Sequence, residues 1–253
     1  MRKLLRAVVH TYANHGLLGT VYRLGHRLIS GRPDPDTEPQ PGVHPFDLAR
    51  GVDTGGYIPG KQLASALGGR GAAAEFYNTA YYGIAPSTLR QALSLLPEPV
   101  DPFTFIDLGC GKGRGLLVAA ELPFQALIGV ELSPQLCAVA QKNLAADPRC
   151  SIVHQDAASY HYPATALVIY LYHPFLKPLL RRVLRNLDRQ MRATARPLYL
   201  LYANPGYPEV LGHFKWLRQV WDYSVPLSAE DAAADRHGIT YERYTLYRAE
   251  RPH

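Results

Sequence analysis

Phe105-Ile106-Asp107-Leu108-Gly109-Cys110-Gly111-Lys112-Gly113-Arg114-Gly115 is an apolar run that stops at an acid and passes into glycines at alternate positions. Phe103, Phe105, Ile106 and Leu108 predict a short buried strand, and Leu116 to Ala120 start a helix behind the glycines. Glycine lets the backbone turn sharply and approach a ligand where any Cβ would collide. The helix that follows presents free N–H groups to that ligand. Together these features predict a nucleotide-type site at the carboxyl end of a strand, where open α/β sheets bind ligands.

The spacing narrows the ligand. Read from Gly109, the dinucleotide fingerprint G-x-G-x-x-G/A meets Arg114 at its sixth position; read from Gly111, it meets Leu116. A phosphate loop of the G-x-x-x-x-G-K-S/T kind is also absent. What remains is D-x-G-x-G-x-G. A carboxylate two residues before the first glycine suits a cationic amino end and repels pyrophosphate. S-adenosylmethionine has an ammonium, a sulfonium and an adenosine but no phosphate, so the motif favours it.

The next acids fall where such a ligand needs them. Ala126 to Val130 reads as a second strand ending at Glu131, a position from which an acid accepts ribose hydroxyls. Ser133 and Pro134 suit the N-cap and first position of a helix through Asn143. A third strand, Ser151 to His154, leads to Gln155-Asp156, and a fourth, Ala166 to Leu171, stops at Tyr172-His173-Pro174-Phe175. A single Asp at a strand end would mean little, because turns collect it for local hydrogen bonds. Three acids in register with a glycine loop carry far more weight.

On these residues the chain resembles the class I, seven-strand, S-adenosylmethionine-dependent methyltransferases. The resemblance runs from about Pro86 to Arg248 and is specific at Asp107–Gly113, Val130-Glu131 and Gln155-Asp156. It implies a doubly wound, seven-stranded, mostly parallel Rossmann-like α/β sheet, with a reversed edge strand, and an N-terminal helical extension. It also implies a cofactor set of Asp107, Gly109, Cys110, Gly111, Gly113, Glu131, Leu132, Gln155 and Asp156. The loop residues would hold the amino-acid end, Glu131 the ribose and Asp156 the adenine amino group. Tyr172 to Phe175 falls where many N-methyltransferases have N/D-P-P-Y/F; here the Asn or Asp is missing, which speaks against base-amine and amide methylation.

Composition sets the outer bounds. A chain of 253 residues accommodates one full α/β domain with an extension. Three cysteines, Cys110, Cys137 and Cys150, give neither a disulfide framework nor a zinc site, and the ten histidines lack ligand spacing, so no metal is expected. No apolar run reaches the ~20 residues that cross a bilayer; a reducing cytoplasmic setting is the expectation. Arg2, Lys3, Arg6, Arg23, Arg27 and Arg32 all precede the first acid, Asp34, and account for the whole formal charge of +6. Residues 1–30 read as basic amphipathic helices. Such helices either dock on the domain or lie on an anionic membrane surface.

The remaining boundaries follow from composition. Residues 31–45 form a proline-rich linker, 46–97 a pre-core helical or lid segment, and 98–253 the cofactor-binding core. Ala72 to Tyr82 reads as a helix bearing Phe76, Tyr77, Tyr81 and Tyr82, followed by a helix marked by Leu89, Leu93 and Leu96. Leu179, Leu180, Val183, Leu184 and Leu187 stripe a further helix, whose other face carries Lys177 and five arginines. Pro197 to Ala203 is the fifth strand, Glu209 to Leu217 a helix, and Trp221–Val225 and Tyr241–Tyr247 the last two strands.

Methyl transfer from a sulfonium needs proximity, alignment and exclusion of water; a base matters only where the acceptor must lose a proton. His173 is the candidate base or orienter, with Tyr172 and Phe175 beside it. Tyr77, Tyr81 and Tyr82 are candidate substrate-binding rings, able to hold a cation by ~0.5–2 kcal/mol. Tyr81 to Ser87 is similar to the pre-strand segment of seven-strand protein-lysine methyltransferases, which leans the reading toward a protein lysine. A small-molecule O- or N-methyltransferase is the alternative. A non-catalytic scaffold acting through its basic N-terminal helices is a third. Nucleic acid is disfavoured as acceptor, because the polar set that reads a flipped base is absent.

Overall fold

The computed structural model describes residues 43–58, 81–173, 175–235 and 238–250; the basic helices expected over 1–30, the linker as far as residue 42, and Tyr77 lie outside them. In chain order the elements are α1 (Pro45–Arg50), β1 (Tyr57–Ile58), β2 (Tyr81–Tyr82), α2 (Pro86–Ser94), β3 (Phe103–Leu108), α3 (Arg114–Ala119), β4 (Ala126–Glu131), α4 (Pro134–Leu144) and β5 (Cys150–His154). There follow a 3-10 turn at Ala157–Ser159, β6 (Ala166–Tyr172), α5 (Lys177–Ala193), β7 (Leu198–Ala203), α6 (Pro208–Leu211), β8 (Leu217–Pro226), α7 (Ala229–Ala234) and β9 (Tyr241–Ala249).

The main sheet has the order β5-β4-β3-β6-β7-β9-β8. β3 through β7 are mutually parallel, and β9 runs antiparallel to both β7 and β8. The seven-stranded, doubly wound α/β sheet expected from sequence is therefore present. The reversed strand is β9, inside the sheet, rather than the edge strand; β8 takes the edge and carries a register shift between Gln219 and Trp221.

Alternation along the strands builds two apolar layers. Phe103, Phe105, Val168, Tyr170, Tyr199 and Leu201 face Leu89 and Leu93 of α2, Leu116 of α3, and Ala140 and Leu144 of α4. Ile106, Leu108, Leu167, Ile169, Leu198 and Leu200 face the Leu179–Leu187 stripe of α5 and Val210 and Leu211 of α6. With both faces covered, the central strands read as nearly unbroken apolar runs.

Two sequence expectations change. Tyr81 and Tyr82 end no helix; they form β2, paired antiparallel with β1 through Tyr57↔Tyr82 and Ile58↔Tyr81. The helix expected over 209–217 is only the single turn α6, because β8 already begins at Leu217. Ser133 caps α4, its hydroxyl accepting from the Leu136 N–H at 3.3 Å, with Pro134 at the first helical position. Among the described residues no helix is long and apolar enough to cross a membrane.

Candidate active site

Parallel register places the carboxyl ends of β3, β4, β5 and β6 along one edge. Asp107 pairs with Gly129 and Tyr170, and Glu131 with His154. A solvent-open cleft lies there. It is lined by Asp107, Gly109, Cys110, Gly111, Glu131, Leu132, Gln155, Asp156, Tyr81, Tyr82, Tyr172, His173 and Phe175, all anticipated from sequence. Gly113 is the exception. It caps α3 in the left-handed region (φ 88), and a Cβ there would sit 2.9 Å from Leu144 Cδ1, so only glycine fits against α4.

Asp107 is buried, at 4% exposure, on the floor of the cleft. No described residue donates a hydrogen bond to its carboxylate, and burial, reinforced by the nearby Glu131 carboxylate, pushes its pKa up to about 8. The start of α3 abuts it, since a Cβ at Gly115 would fall 2.5 Å from Asp107 Oδ2. Glu131 braces the loop instead: Oε2 accepts from the Gly111 N–H at 3.0 Å and Oε1 from the Ser133 N–H at 2.8 Å. Burial raises its pKa, and those backbone donors oppose the rise. At Gly111 (φ 56) a Cβ would lie 2.2 Å from Tyr81 Cε2, so the loop holds Tyr81 against it only because the residue is glycine. Asp156 accepts from the Ala158 N–H at 2.9 Å and lies 3.6 Å from Arg182 Nη2.

The two cations of the glycine loop had no assignment from sequence. Arg114 is buried, and its Nε donates to Thr54 Oγ1 (2.6 Å), Nη1 to the Ile84 carbonyl (3.0 Å) and Nη2 to both Asp47 oxygens (3.4 Å). Lys112 donates to Asp53 Oδ1 (2.7 Å) and the Gly55 carbonyl (2.8 Å), while Asn143 exchanges hydrogen bonds with the Asp53 backbone. Tyr81 donates to the Thr54 carbonyl at 2.7 Å. The segment before the core is thereby fastened along the cofactor loop. The available signal was complementary charge: two cations in a loop whose ligand has no phosphate, and two acids, Asp47 and Asp53, in a turn-rich segment.

At the β6 end, the Tyr172 hydroxyl donates to Glu242 of β9, and its ring meets Tyr82 edge-on at 5.6 Å. Glu242 was missed because it lies far along the chain in an ordinary strand pattern. His173 takes a left-handed backbone (φ 44) and stacks its ring on Tyr207 at 6.0 Å. Its Nδ1 is buried without a described partner, and burial lowers its pKa, which favours the neutral ring. Phe175 is 7% exposed and packs into the α5-facing core while contributing to the cleft wall. Among the described residues no group of three or more His, Cys, Asp or Glu is placed to hold a metal.

Residues 105–194 match the family model described as a methyltransferase domain. Over those residues the chain is similar to a methyltransferase domain, as the glycine loop led us to expect. Among solved structures, it is similar to the N-methyltransferase NodS from Bradyrhizobium japonicum WM9 (14% identity, TM-score 0.47, covering 66% of this chain and 94% of that one). It is also similar to that enzyme in complex with S-adenosyl-L-homocysteine (13%, 0.47, 66% and 86%) and to TrmN from Thermus thermophilus (16%, 0.48, 74% and 52%). No curated protein sequence matches the chain. The cleft suits the chemistry of S-adenosylmethionine at one point above all. The Asp107 carboxylate is buried and takes no hydrogen bond from a described residue, a setting that suits a cationic group.

Proposed function

We propose that this methyltransferase methylates an amine nitrogen, and that the acceptor is a protein lysine. The observation that supports this is the charge of the cleft. Asp107, Glu131 and Asp156 line it, and the single guanidinium in its wall, Arg114, is spent on Thr54, Ile84 and Asp47. Such a cleft favours a cation and disfavours a phosphate acceptor. Tyr82, Tyr172 and Phe175 narrow the β6 end and offer ring faces to an ammonium.

In this reading Asp107 holds the cofactor's ammonium, Gly109, Cys110 and Gly111 let its amino-acid end approach, Glu131 with Leu132 takes the ribose, and Asp156 with Gln155 the adenine edge. When bound, S-adenosylmethionine supplies an electrophilic methyl group on a sulfonium. Tyr81 and Tyr82 shield the cleft from water, and His173, neutral and stacked on Tyr207, shapes the acceptor entrance. The deciding experiment follows labelled methyl from S-adenosylmethionine into a fractionated lysate, with Glu131→Ala as control. Wild-type-only label in protease-sensitive material, mapping to lysine, is the expected result. Label confined to small molecules would replace the protein acceptor with a small one, and no label with retained cofactor binding would leave a scaffold.

A further inference from the structure

Glu242 is a carboxylate in an unusual setting. It is 2% exposed, and only neutral groups bond it: the hydroxyls of Tyr172, Thr88 and Tyr244 (3.1 Å for the last) and the Asn204 amide at 3.5 Å. The titratable groups facing this cluster are Tyr172 and Tyr170 from β6, Tyr244 from β9 and Tyr82 from β2, all phenols. No described cation pairs with it. A buried charge without a counter-ion is costly, and the hydroxyls that hold it lead to the cleft through one side chain. Tyr172 touches Glu242 with its hydroxyl and lines the cleft at the place where the family's N/D-P-P-Y/F signature has its acid or amide.

From this geometry we infer that Tyr172 and Glu242 form the proton-accepting pair of the site, taking the proton that a cationic amine must lose before it can be methylated. The inference rests on the amine reading above. An incoming ammonium donates to Tyr172 Oη, whose own hydrogen points to Glu242. As the ammonium proton moves to Oη, the phenolic proton moves to the Glu242 carboxylate. The amine is left neutral with its lone pair available, Tyr172 is again a phenol, and Glu242 is a carboxylic acid. After the product leaves, the same two transfers in reverse return one proton to solvent. Tyr172 is the catalytic residue of the pair, and Glu242, which acts through it, the positioning one. His173 has no comparable support, since nothing orients its buried Nδ1.

The test compares wild type, Glu242→Gln and Tyr172→Phe in the transfer of labelled methyl to desalted lysate protein between pH 6.5 and 10, with S-adenosylhomocysteine affinity measured in parallel. A free lysine is mostly cationic below its pKa of about 10.4. Both variants should therefore lose about 100-fold at pH 7, within the range of general base catalysis, and recover to within a few-fold at pH 10. The Glu242→Gln variant should bind S-adenosylhomocysteine within about twofold of wild type, which separates the effect from misfolding. An equal loss at every pH would make Glu242 a structural hub and overturn the pair, as would an unchanged rate at pH 7. Failure of wild type to label any protein would instead overturn the lysine reading, and the pair's task with it.

Discussion

Replacing Asp107 by Asn tests the cofactor assignment through its pH dependence. In the free protein the Asp107 pKa is about 8, so the carboxylate is about 1% ionised at pH 6 and about half ionised at pH 8. The cofactor's amino group, with an ordinary α-amino pKa near 7.7–8.0, is cationic at pH 6 and falls to about 40% cationic at pH 8. An ion pair between them needs both charges. The product of the two fractions rises about 20-fold from pH 6 to pH 8, about 2 kcal/mol, and declines beyond. Calorimetric titration with S-adenosylhomocysteine across pH 6–9 should show this maximum, with net proton release on binding below it.

The Asn variant should lose the rise between pH 6 and 8 and bind about 10- to 150-fold more weakly at pH 8, the cost of one charge-assisted hydrogen bond. The sign for folding is the opposite. Because the folded pKa lies above the ordinary carboxylate value, Asp107 stabilises the ligand-free fold least at high pH. Its contribution is present in full below about pH 4 and lost as pH rises through about 8. Asp107→Asn should flatten that part of the thermal stability profile. A wild-type affinity that is level between pH 6 and 8, or an Asn variant that keeps the rise, would refute the argument.

Three further substitutions follow from the geometry. Gly111→Ala drives a Cβ to 2.2 Å from the Tyr81 ring at a positive φ that alone costs ~1–2 kcal/mol, so S-adenosylhomocysteine affinity should fall by more than about tenfold in calorimetry. Arg114→Met leaves Asp47, 2% exposed, without its counter-ion; a loss of about 3–5 kcal/mol should appear as a melting temperature lower by about 10 °C. Gly206→Ala places a Cβ 2.1 Å from His173 Cε1 and should displace that ring, slowing transfer several-fold while S-adenosylhomocysteine affinity changes less than about twofold.

What sequence made legible here was local and periodic. Strand, glycine turn and helix run consecutively from Phe103 to Ala119, so their composition alone announces the cofactor loop, and Glu131 and Asp156 follow at the next two strand ends. Side chains whose partners lie far along the chain were opaque. Glu242 meets Tyr172 across 70 residues, and Arg114 meets Asp47 across 67; no local pattern marks either pair. Tyr81 and Tyr82 misled because aromatic residues beside an alanine-rich stretch satisfy a helical period. Pairing with Tyr57 and Ile58, which no window around them contains, makes them a strand.

The wiring of the glycine loop also explains how so basic a motif serves a cationic ligand. Between Asp107 and Gly115 the sequence has two cations and one acid, which by count alone should repel a sulfonium. The fold sorts these charges by direction. Lys112 and Arg114 are drawn to Asp53 and Asp47 of the preceding segment, while Asp107 stays in the cleft with no cation among the described residues in contact. Glu131, bound to backbone N–H groups rather than to a cation, adds a second unneutralised carboxylate a short way off. Each raises the other's cost of ionisation, and a ligand cation relieves both at once. The segment that ties back the loop's cations is thus as necessary to the binding field as the acids themselves, although, among the described residues, its own side chains reach the cleft only through Tyr81, Tyr82 and Ile84.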